Sequence, residues 1–296
     1  MVDNLTIDKE SMYSDNLRHN FNIKEFRDSL YQKFSRNMNL MLDAKKPRTT
    51  FTNKGRLEPR RAYRYNFSDQ IFKQNQSIPT GDTTVIFMID GSGSMDSNDR
   101  LAKCSAICSA FAKAVNDVTK NQIKFEVFVK SAPCYADNQY GGKFVTLTKV
   151  LSNTSGVVKD FDKILKLDTY APMKTDGNDT VSSYTAEFAV LPALRKYMAT
   201  KLTTKNAIVV NMTDGGAYCE LGEWGETGGS FRSKENGQMR TKYLSQIPHV
   251  TIMVGDDLDA KTKQRTYGAN IVECEDDNFV PQLFKMFMGF LEQSYE

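Results

Sequence analysis

Thr84-Val85-Ile86-Phe87-Met88-Ile89-Asp90-Gly91-Ser92-Gly93-Ser94 decides the fold of this 296-residue chain. Its first six residues are β-branched or apolar without alternation, the pattern of a strand buried on both faces. The strand runs straight into an acid and a Gly/Ser turn. Asp99–Val115 follows as a helix, with Leu101, Cys104, Ile107, Cys108, Phe111 and Val115 on one face. Strand, polar loop and helix in that order form the repeating unit of an α/β sheet.

The unit recurs downstream. Ile123–Val129 reads as a second strand and Lys143–Thr148 as a third; Val157–Leu165 and Ala186–Met198 read as helices. Ala207–Met212 is a further central strand, Val250–Val254 and Asn270–Cys274 are two more, and Val280–Leu291 closes the chain as an amphipathic helix. The expected fold over residues 81–296 is therefore α/β, a doubly wound, mostly parallel sheet with helices on both faces.

Residues 1–80 read differently, as an N-terminal helical and basic extension. The first 20 residues are polar. Ile23, Phe26, Leu30, Phe34, Met38 and Met41 then recur at helical spacing between Phe21 and Asp43. Residues 45–67 carry eight cations, with Glu58 as the one acid and Pro47 and Pro59 breaking any helix. Net charge is +3, divided unevenly. Residues 1–80 hold 15 Lys and Arg against 9 Asp and Glu, whereas residues 81–296 hold 24 against 27.

Two scarcities exclude chemistry. With only two histidines, His19 and His249, a multi-histidine metal centre is ruled out, and neither sits in a nucleophile motif. Five cysteines without a C-x-x-C pair argue against a zinc site and a disulfide framework. Cys104 and Cys108 read as core, and free thiols suit a reducing compartment. No apolar run approaches the roughly 20 residues a membrane helix needs, and the N-terminus lacks a secretion-signal layout. A soluble, cytoplasmic protein is the expectation.

The chemistry gathers at strand ends. In open α/β sheets, ligands bind beyond the carboxyl ends of the strands, near a topological switch point. Asp90, Ser92 and Ser94 leave such an end with a carboxylate and two hydroxyls at alternate positions, able to aim three oxygens at one point. Val209-Val210-Asn211-Met212-Thr213-Asp214-Gly215-Gly216 repeats the theme, which places Asp214 on the same edge. Between them, residues 176–185 (DGNDTVSSYT) form a hydroxyl-rich loop ahead of a helix. An all-oxygen set of low charge suits a hard divalent cation such as Mg²⁺.

D-x-S-x-S after a strand, a Ser/Thr loop before a helix and T-D-G after a later strand resemble the metal-ion-dependent adhesion site (MIDAS) of von Willebrand factor A (VWA) domains. The resemblance implies Mg²⁺ or Mn²⁺ held by Asp90, Ser92, Ser94 and Asp214, directly or through water. The remaining ligand, normally a threonine, falls on Ser183 or Thr185, with Thr180 a further candidate. Gly215 and Trp224, the latter on the glycine-rich stretch 222–229, are candidate partner contacts beside that edge.

A narrower likeness runs over roughly residues 50–293. Gly55-Arg56-Leu57, Ile71-Phe72-Lys73 and Gly81-Asp82-Thr83-Thr84-Val85 resemble the run-in to the A domain of the cobaltochelatase small-subunit family (CobT) of cobalamin biosynthesis. Val250–Asp257 and Ile271-Val272-Glu273 are similar to that family's last strands. Compact forms of this kind also occur in large bacteriophage genomes. The resemblance implies an adaptor that works with a MoxR-type AAA+ ATPase and with a chelatase large subunit or other protein client. The chain has no Walker A motif of its own: Gly141-Gly142-Lys143-Phe144 lacks the upstream glycine and the Ser/Thr. Neither a general acid–base pair nor an activated nucleophile is visible, so no catalysis by this chain alone is expected.

Two rival readings remain. Arg60, Arg61 and Arg64, interleaved with Tyr63, Tyr65 and Phe67, could neutralise phosphates while the rings stack on bases. A structural role, for instance in a virion, would leave the metal to stabilise the fold only.

Overall fold

The computed structural model describes residues 13, 19–44, 48–52, 56–57, 59–60, 72–76, 83–120, 123–134, 145–154, 158, 160–168, 182–185, 187–204, 206–216, 219–220, 230–231, 233–255 and 258–293. In chain order the elements begin with α1 (Ile23–Ala44), β1 (Arg48–Thr52), β2 (Arg56–Leu57) and β3 (Phe72–Gln76). The central run is β4 (Thr83–Asp90), α2 (Arg100–Thr119), β5 (Lys124–Cys134), β6 (Thr146–Ser152), β7 (Ser182–Tyr184), α3 (Leu191–Lys201) and β8 (Asn206–Thr213). The C-terminal run is β9 (Cys219–Glu220), β10 (Ser230–Phe231), α4 (Ser233–Leu244), β11 (His249–Met253), α5 (Ala260–Tyr267), β12 (Ile271–Glu273) and α6 (Phe279–Gln293).

The principal sheet runs β12-β11-β8-β4-β5-β6, with β7 paired to the far end of β5. Every pairing from β12 to β5 is parallel, and β6 and β7 lie antiparallel to β5. The fold is a doubly wound α/β sheet. From β4 the chain first builds outward through β5 and β6, then returns to the other side of β4 with β8, β11 and β12. The switch point therefore lies between β4 and β8; β4 ends there in Asp90, and Asp214 directly follows β8.

Alternate residues of β4 serve opposite layers, as the two-residue period of a strand requires. Val85, Phe87 and Ile89 face a cluster with α2, α1 and α6; Ile86 and Met88 face Phe188, Leu191, Leu194, Leu244 and Tyr267. In the first layer, Phe111 packs against Phe34, Phe87 and Phe287 with ring centroids 5.8, 5.0 and 6.1 Å apart, all edge-on. Edge-on pairs add about 0.5–1.5 kcal/mol each beyond the area they bury. Helix α1 thus shares the core of the sheet, and Arg27 on it pairs with Asp162.

The structure departs from the sequence reading in four places. A helix over Val157–Leu165 does not form in the described part of that stretch. Asp160 Oδ1 accepts the backbone N–H groups of Asp162 and Lys163, a local turn that competes with the helix ladder, and one short 3-10 turn (Lys163–Lys166) follows. The third strand begins at Thr146 and returns antiparallel along β5. Helices α4 and α5 lie where no element was expected. The basic segment contributes to a small antiparallel sheet in the order β1-β3-β2.

Candidate metal centre

Parallel pairing of β4 with β8 puts Asp90 and Asp214 at neighbouring strand ends, both buried. Gly91 is demanded by its neighbour: a Cβ there would lie 2.7 Å from Val129 Cγ1 on β5. Asp90 Oδ1 accepts the Ser92 N–H at 2.9 Å, which folds the loop back over the strand end. Ser92 precedes a 3-10 turn but its hydroxyl caps nothing; it lies 3.0 Å from the hydroxyl of the exposed Ser94.

Across the crevice, Asp214 Oδ1 accepts the Gly216 N–H at 3.0 Å and Oδ2 accepts from Arg100 Nη1 at 3.1 Å. A methyl placed on Gly216 would lie 3.3 Å from Asp214 Oδ1 and 3.7 Å from Thr185 Oγ1. Thr185, buried just beyond β7, and Asp214 therefore both border the space beside Gly216. Antiparallel pairing of β7 with β5 sets Ser183 opposite Pro133. Thr180 and Trp224 lie outside the described residues. Gly215 is buried, with its N–H donating to Thr213 Oγ1 at 3.2 Å. Arg60 is exposed, and Arg61 and Arg64 lie outside the described residues.

Beneath these residues lies a set of buried charges that no motif announced. Lys130, paired in register with Asp90, donates from Nζ to Glu187 Oε2 at 3.0 Å and to Asn211 Oδ1 at 2.8 Å. Both charged side chains are fully enclosed. Glu187 sits at φ 26°, a strained backbone region that persists only where surrounding contacts impose it. Its side chain supplies them, accepting also from Asn211 Nδ2 at 3.3 Å and from the Thr213 hydroxyl.

Thr213 exposes a shortage. Its hydroxyl faces Glu187 Oε1 and also Asp90 Oδ2, the latter at 3.2 Å. A hydroxyl has one proton to give. With that proton on Glu187, Asp90 Oδ2 is left with a shared, longer contact at 3.2 Å. The electrostatics agree. Burial pushes the Asp90 carboxyl up to about 7, opposed by Lys130, reinforced by Glu187 and Asp214, and opposed again by the Ser92 N–H. Three carboxylates (Asp90, Glu187, Asp214) stand against two cations (Lys130, Arg100), which leaves one negative charge uncompensated. Oxygen donors, low net charge and an acid short of a partner fit a divalent cation that keeps part of its water shell.

Among the described residues no group of three or more His, Cys, Asp and Glu could hold a metal ion, so any metal here relies on hydroxyls. A cleft of about 330 Å³ opens beside Arg100, between Asn98 and the ends of β11 and β12. Among the described residues no helix is long and apolar enough to cross a membrane.

No protein-family model matches the chain, and no curated protein matches it. Among solved structures, the pilus adhesin RrgA from Streptococcus pneumoniae is similar, with a TM-score of 0.44 and 11% identity. The similarity covers 71% of this chain and 44% of that adhesin, so the chain spans less than half of the adhesin's length.

Proposed function

We propose that this chain is a VWA-type adaptor that binds Mg²⁺ or Mn²⁺ at Asp90, Ser92, Ser94, Thr185 and Asp214 and docks a partner protein there. The observation that carries the reading is the buried Asp90 carboxyl at the switch point, which shares the Thr213 hydroxyl with Glu187 and stands beside Ser92 and a second acid. A bound divalent cation supplies fixed positive charge with coordination positions left for a partner's carboxylate. The chain's own residues prepare that place. Ser92 and Ser94 present hydroxyls unspent on capping, Arg100 holds Asp214 in one orientation, and Lys130 with Glu187 fixes the strand ends beneath.

The resemblance to the cobaltochelatase small subunit supports the choice of partner. It points to a MoxR-type AAA+ ATPase that does the hydrolysis, with a chelatase large subunit or another protein as client. The setting is the cytoplasm, the host's if the chain is phage-encoded. Calorimetric titration with Mg²⁺, followed by capture of partners from native lysate in Mg²⁺ or EDTA, tests both halves. Mg²⁺ binding by the wild type, lost in Asp90→Ala, with an AAA+ ATPase retained only when both Asp90 and Mg²⁺ are present, is the expected result. No heat of Mg²⁺ binding would overturn the metal centre. Binding of Mg²⁺ with the same proteins captured in all conditions would overturn the adaptor role and leave the cation a stabiliser of the fold.

A further inference from the structure

Helices α4 and α5 carry charge out of proportion to the rest of the sheet domain. α4 holds Lys234, Arg240 and Lys242 against Glu235, and α5 holds Lys261, Lys263 and Arg265 with no acid. Together they total +5. The remainder of residues 81–296 has 18 Lys and Arg against 26 Asp and Glu, a total of −8. A positive corner on a negative body is a local feature, not an overall excess of base.

The two helices make it a groove. A Cβ at Gly237 would lie 2.4 Å from the Arg265 carbonyl oxygen, so α4 can approach α5 this closely only with glycine at the crossing. Cations from both helices then line one open groove of about 770 Å³, formed by Lys234, Gln238, Arg240, Thr241, Lys242 and Arg265 above Gly237. Lys234, Gln238 and Lys242 follow one another at four-residue spacing along one face of α4. Lys234, Arg240, Lys242 and Arg265 pair with no carboxylate among the described residues. Arg240 is pre-set: its Nε donates to the Thr266 carbonyl at 3.0 Å and its Nη1 faces His249 Nε2 at 3.4 Å. That anchoring orients the rest of the guanidinium before any ligand arrives.

The chemistry of the lining selects the occupant. Protein interfaces centre on buried apolar and aromatic anchors, and the groove has none. Membrane surfaces take an apolar wedge, and the exposed large hydrophobics among the described residues, Leu40 and Leu57, lie on other elements. What remains is positive charge with amide and hydroxyl donors, the set that phosphodiesters need. We propose that the α4–α5 groove binds the phosphate backbone of nucleic acid without reading its sequence. This surface is built from α4 and α5, not from the basic segment, and does not depend on the metal centre.

Fluorescence anisotropy of a labelled mixed-sequence DNA duplex, titrated with full-length protein across a salt series, tests the proposal. Affinity should fall with salt, with a log–log slope of about −3 to −4 if four cations each displace a counterion. The triple reversal K234E/K242E/R265E places all three changes on exposed side chains. It should lose at least about tenfold in affinity and flatten the slope by about 3, whereas R60A/R61A/R64A should bind as the wild type does. The neutral K234Q/K242Q/R265Q should fall between, with an unchanged circular dichroism spectrum. The proposal is overturned by absence of duplex binding at low salt, or by equal affinities of wild type and both groove triples. Loss in the 60–64 variant alone, or tighter binding of a polyglutamate peptide than of the duplex, would overturn it equally.

Discussion

Strand β4 contributes Phe87 to an aromatic cluster and, three residues later, Asp90 to a nest of buried charges. The two neighbourhoods are equally dry but are held by different physics. Around Phe111 each contact is individually weak and favourable, and none involves a charge. Around Asp90 each contact is directional, and the paired charges come from different elements: Lys130 on β5 with Glu187 in the turn before α3, and Arg100 on α2 with Asp214 after β8. The first neighbourhood supplies stability; the second consumes some of it to hold charges at the switch point away from water. Lys130 and Arg100 offset only part of the negative charge gathered there.

The contrast can be broken most sharply at its two extremes. Phe111→Ala should cost about 3–5 kcal/mol in urea unfolding through the cavity it leaves, without changing Mg²⁺ affinity in molecules still folded. Lys130→Met should cost a similar ~3–5 kcal/mol, because Glu187 would remain buried and unpaired. Lys130→Met with Glu187→Leu should recover most of that loss. Failure of the double variant to recover would mean the pair does more than cancel charge.

Next in size is the effect of the cation. Mg²⁺ at a hundredfold excess over its dissociation constant should stabilise the wild type by about 2.7 kcal/mol and leave Asp90→Ala unmoved in thermal melts. Per pH unit, a smaller effect follows from protonation. Asp90 titrates near 7 when folded and at an ordinary carboxylate value when unfolded, so between those values the folded state binds the extra proton. Metal-free stability should therefore fall as pH rises through that window, with a slope of up to about 1.4 kcal/mol per pH unit, and Asp90→Asn should flatten it. Melts in EDTA across the window decide this; a wild-type curve that rises would reverse the assignment. The smallest effect sharpens the comparison from the other side. Ser94→Ala, at an exposed position, should change metal-free stability by less than about 0.5 kcal/mol while weakening Mg²⁺ binding in calorimetry.

How much of this was legible in the sequence follows the same division. The central strands and α2, α3 and α6 announce themselves by apolar patterning, and Asp90 and Asp214 stand out because each ends an apolar run. Lys130, Glu187 and Asn211 were passed over, since a polar residue inside an apolar run gains meaning only from a partner far along the chain. The one available signal was Lys130 in the run Phe125–Lys130, a charge at the point where a neighbouring strand would end in Asp90. Helix α4 hid behind a polar surface and a mid-helix Gly237, which reads as a breaker until the crossing with α5 is seen. The choice among hydroxyls near 180–185 depended on the pairing of β7 with β5, which no local pattern encodes.

The seat of α1 has a practical side. Leu30, Phe34 and Met38 join the core on which α2 and α6 pack, so a chain trimmed to begin at β4 would strip Phe34 from the rings of Phe111 and Phe284. A core opened in this way invites self-association. For anyone preparing the protein, trimming into the stretch from Phe21 to Ala44 should therefore promote aggregation.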